Sequence, residues 1–334
     1  MKVALCGFSQ GYYAVEYTRY LSEKKGIIIC GVCDLNEEDS YIRSCAFISA
    51  KAFADELETE LLHTVDDVIA VKPDAVLLCC ETAQHTELAA RLVRAGIHVF
   101  VSKPLSFRAD QVDSLARAVP KDRVVLCGQP LRYETGIQEL AGRIRAGEAG
   151  RIYSIRIRLC HEAMIHQAWE RDPARSGGPF GTYGIYLFDL AQWFAGTRLR
   201  RLYASGINAC TPQIDDPDTV FIFAEENGIQ FKLELFSAVG LNMPFIQAEI
   251  TGDQGLLQTD YACPASTLYT DHGVYMGSYR TSDMTKGEME HFLSCLKGKA
   301  EPACGIESMR YIARCIEAAR VSMRTNQFVA VWEA

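Results

Sequence analysis

AGIHVFVSKPL, residues 95–105, reads as a short buried strand that ends by presenting one lysine. His98, Val99, Phe100 and Val101 give it β-branched and aromatic character, and Gly96 closes the helix before it. Pro104 is expected to hold the chain extended around Lys103. A lone lysine after a core strand is most often a solvated surface group. Lys103 differs in its position, after several strand and helix alternations, where an open parallel sheet places its ligand crevice.

The alternations begin at once. MKVALCGFSQGYY gives a strand over 2–6, a glycine-containing loop, and a helical run to residues 20–21. A full GxGxxG would need glycine at 7, 9 and 12, and the chain has Gly7, Ser9 and Tyr12, with Gly11 one place early. The loop Gly7, Phe8, Ser9, Gln10 and Gly11 is still expected to turn tightly and aim backbone N–H groups at a pyrophosphate. GIIICGVCD, residues 26–34, is an apolar run closed by Asp34, whose carboxylate would accept the adenine-side ribose hydroxyls. That acid, followed by Leu35 and Asn36 where an arginine would be wanted, suits NAD over NADP. The competing role for Asp34 is a helix cap before NEED. PDAVLLCC (73–80) and RVVLCGQP (123–130) read as further parallel strands, with amphipathic helices between.

The rhythm changes near residue 130. YETGIQELAGRIRAG is a helix with Ile137, Leu140, Ala141 and Ile144 on one face, and RIYSIRIRLCH (151–161) alternates as a strand of an antiparallel sheet does. Further strands fit 199–207, 219–225, 229–237, 245–252 and 255–260. The expected class is α/β: a Rossmann dinucleotide-binding domain over 1–130, then an α+β domain over 131–334 with a large, mostly antiparallel open sheet. The closing helix is free to pack back on the first domain. Alternate apolar residues Phe221, Phe223, Phe231, Leu233 and Leu235 need cover, which points to a homodimer or homotetramer.

Composition narrows the partners. The 334 residues carry a net charge of -8 with both signs mixed, which disfavours nucleic acid, and no apolar run is long enough to span a membrane. The N-terminus enters a strand directly, without signal-peptide character. Thirteen cysteines scattered through core elements suit a reducing cytoplasm. Cys30 and Cys33 face opposite sides of a strand and read as core, and His161 and His166 in HEAMIH match no metal-ligand spacing, so no metal is expected.

The chain resembles the Gfo/Idh/MocA family, named for glucose-fructose oxidoreductase, inositol 2-dehydrogenase and a rhizopine-catabolism protein. Gly7, Asp34, the HTE of His85 to Glu87, AGIHVFVSKPL, GRIYSIRI and SGGPFGTYGIYLFDLAQWFAG (176–196) carry the likeness, and the closing segment from EMEHFL is similar too. The resemblance implies an NAD-dependent dehydrogenase or reductase of a sugar, inositol or related polyol. It places Thr82 and His85 with Lys103 at the cofactor, and Gly177, Gly178, Gly184, Asp189 and Trp193 stand at the GGG and GxHxxDxxxW positions. The departures are Ser102 for the glutamate of EKP, Tyr186 for the histidine, Thr182 for an aspartate, and Glu81 with Thr82 for Pro-Asn.

Hydride transfer at a carbinol carbon needs a proton-exchanging group and a positive donor for the oxygen. Lys103 fits the second role and Tyr186 the first, with the Lys103 charge expected to favour the ionised tyrosine. Asp189, one turn after Tyr186, could orient it, bind a substrate hydroxyl, or act as a cap. Arg132 and Tyr133 are expected to line the substrate site, although a salt bridge would explain the arginine equally. His161 and Trp169, with Glu162, His166, Arg171, Asp172 and Arg175, form a polar aromatic segment suited to a polyhydroxylated ligand, Trp169 stacking on a sugar face. The alternatives are a dinucleotide- or sugar-binding regulator and an NAD-dependent glycosidase.

Overall fold

The computed structural model describes residues 1–35, 46–162, 167–237, 246–260, 263–270, 272–276 and 283–332. His166, Asn36 and the NEED stretch lie outside them. The chain divides into two compact units: Met1–Gln129 with Ile165–Gly177 and Thr285–Arg310, and Pro130–Met164 with Gly178–Met284 and Tyr311–Ala334.

The first unit runs β1 (Lys2–Cys6), α1 (Gly11–Ser22), β2 (Ile28–Cys33), α2 (Ala50–Glu56), β3 (Leu61–Leu62), α3 (Val65–Ala70), β4 (Ala75–Leu78), α4 (His85–Arg94), β5 (His98–Val101), α5 (Ala109–Ala118) and β6 (Val125–Cys127). The six strands are parallel in the order β3-β2-β1-β4-β5-β6, a Rossmann-like sheet. Strands β1, β4, β5 and β6 read as unbroken apolar runs because helices cover both faces, and every residue of β4 is buried. The order reverses between β1 and β4, so the glycine loop, Cys79–Cys80 and Lys103 all stand at the carboxyl ends of the strands around the switch point.

The second unit continues with α6 (Thr135–Arg145) and β7 (Ile152–Cys160). After α7 (Pro173–Ser176), which belongs to the first unit, come α8 (Gly178–Ala195), β8 (Arg201–Ile207), β9 (Thr219–Glu226), β10 (Ile229–Phe236), β11 (Ile246–Gly252), β12 (Gly255–Asp260), β13 (Cys263–Thr270) and β14 (Gly273–Met276). Then come α9 (Met284–Leu296), which from Thr285 on belongs to the first unit, α10 (Ile306–Thr325), which passes into the second unit at Tyr311, and β15 (Val329–Ala330). The nine-stranded sheet has the order β14-β13-β12-β11-β7-β10-β9-β8-β15. It is antiparallel except at β7, which pairs parallel with β10 and antiparallel with β11, so strict alternation revealed the covered face of β7 but not its direction. The short strands β3, β14 and β15 and the eight-residue β13 escaped the sequence pattern.

The apolar set named across β9 and β10 divides between two faces. Phe231, Leu233 and Leu235 point into the core, whereas Phe221 and Phe223 pair across the ladder with Glu234 and Lys232 on the opposite face, leaving Phe223 exposed. The buried residues of β9 are Val220, Ile222 and Ala224. On that opposite face Arg156, Arg158 and Lys232 all reach Glu234, at 3.1, 3.0 and 2.9 Å. Lysine and arginine hydrogen bonds hold the Glu234 carboxyl below its usual range despite the opposing effect of burial. These two arginines are therefore paired. Among the described residues no helix is long and apolar enough to cross a membrane.

The start of α8 is anchored from a distant loop. Gly178 has φ +66°, and a Cβ there would sit 2.4 Å from the Asp216 Cβ, so the backbone and Asp216 pack in contact. Asp216 accepts the Phe180 N–H at 2.7 Å and the Arg320 guanidinium at 2.7 Å, tying the first turn of α8 to α10. Asp216→Ala removes the Arg320–Asp216 ion pair and the acceptor of the Phe180 N–H. It is expected to cost about 3 kcal/mol in urea unfolding; a change under about 0.5 kcal/mol would contradict that role.

Candidate active site

Gly7 sets the floor of the dinucleotide loop. Its φ is +88°, and a Cβ would lie 2.5–2.7 Å from Cβ, N and Cα of Cys80, so a side chain would have to displace the backbone after β4. The Gly7 N–H donates to the Cys33 carbonyl at 2.9 Å and the Gln10 N–H to the Cys79 carbonyl at 3.0 Å, joining the loop to β2 and β4. No side chain caps the N-terminus of α1, which the loop leads into. Asp34 is buried immediately beyond β2. Ser9 is buried, its carbonyl accepting from Gln167 Nε2 at 2.8 Å. A loop floor that only glycine permits, an uncapped helix start and an acid at the second strand end fit a bound NAD.

Lys103 and Thr82 are buried in the same unit. The Lys103–Pro104 peptide is cis, in place of the extended connection the proline suggested. Burial pulls the Lys103 ammonium down to about 8, opposed by the charges of Glu170, Cys127 and Glu288. Ser102 is fully buried and its hydroxyl donates to the Leu78 carbonyl at 3.1 Å, so it serves the strand end. His85 changes role. Its ring is 0% exposed, with Nδ1 2.7 Å from the Pro104 carbonyl and Nε2 3.0 Å from the Cys80 carbonyl. Burial lowers its pKa to about 4. The neutral ring has one N–H, which one of the two carbonyls receives while the other faces the unprotonated nitrogen; fully buried between Pro104 and Cys80, His85 packs the turn after Lys103 against the Gly7 floor, and the expected cofactor contact gives way to that positioning role.

The segment containing Trp169 is the largest departure from the sequence reading. It belongs to the first unit, and it is fastened there by Gln167 on the Ser9 carbonyl and by a two-pronged ion pair of Arg175 with Glu81. In that pair Nε donates to Oε2 at 2.8 Å, and Nη2 donates to Oε1. Trp169 is only 5% exposed, so its ring is not a platform for a sugar; Nε1 is buried without a hydrogen-bond partner among the described residues.

In the second unit, Arg132 and Asp189 meet each other. Nε and Nη2 of Arg132 donate to the two Asp189 oxygens at 2.7 and 2.8 Å, and the guanidinium lies 5.1 Å from the Trp193 ring centre. The salt bridge weighed for Arg132 thus exists within its own unit, and Asp189 is engaged by arginine, which replaces a free carboxylate for substrate. Tyr133 is half-buried in the short turn that carries Arg132, and Tyr186 is buried on α8. His161 stacks on Tyr183 at 4.7 Å and its Nδ1 donates to the Glu162 carbonyl at 2.5 Å.

Two groups had no signal in the sequence. Glu288 in EMEHF reads as the polar side of a helix, yet it is 1% exposed and accepts the Tyr17 hydroxyl at 2.5 Å. Gln129, beyond β6, is buried with neither amide atom partnered among the described residues.

A glycine-floored dinucleotide loop and a buried lysine at the ends of a Rossmann sheet define the class, a nicotinamide-dependent oxidoreductase. Residues 1–128 match the NAD-binding Rossmann fold of the oxidoreductase family GFO/IDH/MocA and residues 137–258 match its C-terminal domain; the chain belongs to that family. It is 25% identical over 284 residues to the myo-inositol 2-dehydrogenase of Thermotoga maritima, covering 78% of this chain and 80% of that protein. Among solved structures, an oxidoreductase from Agrobacterium radiobacter in complex with NAD+, L-tartaric acid and magnesium superposes with TM-score 0.84 at 18% identity, over 99% of this chain and 98% of that one. A Sinorhizobium meliloti protein described as a myo-inositol dehydrogenase gives 0.80 at 21%, over 99% of each chain.

Lys103 and Gly7 yield checks that need no substrate. The folded Lys103 loses its proton near 8 and the unfolded one near its ordinary 10.5, so between those values the unfolded chain binds more protons and stability rises with pH. Below that window the cost of burying the charge is present in full. Lys103→Met is therefore expected to be more stable than the parent at pH 7, by on the order of 2 kcal/mol, with the gap narrowing toward pH 10 in urea titrations; a gap that widened would contradict the buried charge. Gly7→Ala is expected to weaken NAD binding at least about tenfold by calorimetry, because the loop must leave Cys80 to admit the methyl group. Unchanged affinity would contradict the tight floor.

Proposed function

We propose that the protein moves a hydride between NAD(H) and a carbinol carbon of a sugar, inositol or related polyol. The observation that carries this reading is the buried Lys103 in the same unit as the Gly7 loop and Asp34. Bound NAD supplies the hydride acceptor or donor; everything else falls to the side chains. Gly7, Phe8, Ser9, Gln10 and Gly11 shape the pyrophosphate site, and Asp34 takes the ribose hydroxyls and repels a 2′-phosphate, which favours NAD over NADP. Lys103 holds the reacting oxygen and Tyr186 exchanges its proton. Thr82 contributes near the cofactor. Tyr133 and His161 contact the polyol, with the Arg132–Asp189 pair fixing the wall on which Trp193 lies. The dehydrogenase names of the relatives support the substrate class. The open face of the second sheet, with Tyr203 and Phe223 paired on it, supports association into a dimer or tetramer.

Calorimetry with NAD, NADH, NADP and NADPH, then absorbance at 340 nm against a panel of sugars, inositols and their keto forms, tests the reading. NAD is expected to bind at least about tenfold tighter than NADP, and one polyol group to be oxidised. Lys103→Met is expected to keep NAD binding and lose about 1000-fold in turnover. No dinucleotide binding would overturn the reading, and binding without turnover of any panel member would move it to a regulator or, if a glycoside is cleaved, to a glycosidase.

A further inference from the structure

Residues 167–177 follow β7 in sequence but belong to the first unit, and their fastenings fall in spatial order along one edge of its sheet. Gln167 Nε2 donates to the carbonyl of Ser9, beyond β1, at 2.8 Å. Arg175 forks onto Glu81, beyond β4, with Nε donating to Oε2 at 2.8 Å and Nη2 to Oε1. Gly177, at φ +86°, lies against the Phe107 ring beyond β5, where a Cβ would stand 2.5 Å from Cδ1. Strands β1, β4 and β5 are neighbours in the sheet, so the segment crosses three successive carboxyl ends, from the Gly7 loop to the strand that presents Lys103. It is also tied to itself. The Gln167 N–H donates to Glu170 Oε2 at 2.8 Å, the Ala174 N–H to Asp172 Oδ1 at 2.9 Å, and the Ser176 hydroxyl to the Asp172 carbonyl at 3.0 Å.

We propose that residues 167–177 are a strap that lifts to let a dinucleotide in or out, with the Arg175–Glu81 ion pair as its latch. This rests on the reading that the Gly7 loop holds a dinucleotide. A pyrophosphate at Gly7 and a nicotinamide at Lys103 would lie along the same three strand ends that the strap crosses. The fastenings differ in kind. The Gln167 bond is a single neutral hydrogen bond and the Phe107 contact is apolar, whereas Arg175 and Glu81 form a two-pronged ion pair. The Glu81 side chain is 4% exposed and that of Arg175 43%, so the strongest directional hold on the strap is also the one that reaches water. Gln167 Oε1 and Trp169 Nε1 on the strap, with Gln84 Oε1 in the turn after Glu81, are buried without a hydrogen-bond partner among the described residues and can serve the polar groups of the ligand. The latch itself joins two protein groups. It therefore opposes entry and exit alike, and breaking it speeds both while leaving their ratio in place.

Stopped-flow nicotinamide fluorescence on the full chain tests the strap, with NADH, or NADPH if that binds tighter, as the probe. Association is followed on mixing, dissociation on displacement by excess oxidised dinucleotide, and Kd by calorimetry. Glu81→Gln keeps the shape and one acceptor for Arg175 but carries no charge. It is expected to raise both rates about tenfold and to move Kd by less than about twofold. Arg175→Lys, which keeps the charge without the fork, is expected to fall between that variant and the parent. Arg175→Gln, at the exposed end of the pair, is expected to match Glu81→Gln and serves if the latter does not fold. Parental rates in both glutamine variants would overturn the inference. So would a dissociation rate that rises alone while Kd weakens in step, since that marks the pair as a ligand contact. The readout needs no substrate: a latch that behaves as stated with no polyol oxidised would count against the proposed reaction alone, and failure of both dinucleotides to bind would overturn the two together.

Discussion

A lysine ammonium kept out of water at the end of β5 is the constraint around which the first unit is arranged. A buried cation is tolerated only where its surroundings supply compensating charge and hold it in one place. Here the backbone after it is braced by His85, whose two ring nitrogens span Pro104 and Cys80, and Cys80 is the surface on which Gly7 rests. The turn after the lysine and the floor of the dinucleotide loop are therefore joined through one histidine ring and Cys80.

The segment from Gln167 to Gly177 adds to that connection. It follows the first strand of the second sheet in sequence but is tied to the nucleotide-binding unit by the Gln167 bond to Ser9 and by Arg175 on Glu81. Glu81, a departure from the family pattern, has its own partner here in Arg175. In the second unit the equivalent economy is the Arg132–Asp189–Trp193 cluster, where one guanidinium fixes a carboxylate and covers an indole.

The Rossmann sheet was legible because parallel strands covered on both faces leave continuous apolar runs such as VALC, AVLL and HVFV, and the order of strands and helices then limits the topology. Lys103, Gly7 and Asp34 could be named from their places at strand ends. What the chain concealed were contacts far apart in sequence. Phe221 and Phe223 read with Phe231 as one apolar set in need of cover until register placed them opposite Glu234 and Lys232. Trp169 looked like a sugar platform because it follows a strand of the second sheet, and only tertiary packing reveals which unit it joins. Glu288 is indistinguishable in sequence from the solvated glutamates of any amphipathic helix; its burial depends on Tyr17, 271 residues away, and on a glycine at 128.

The most direct measurement of the account is transfer of the hydride itself. NADH deuterated at C4 of the nicotinamide would be incubated with the protein and a panel of keto-inositols and keto-sugars, and the reduced products weighed by mass spectrometry. The account requires one deuterium on the newly formed carbinol carbon, absent from the Lys103→Met reaction. Bound NADH that retains all its deuterium in the presence of every panel member would contradict it.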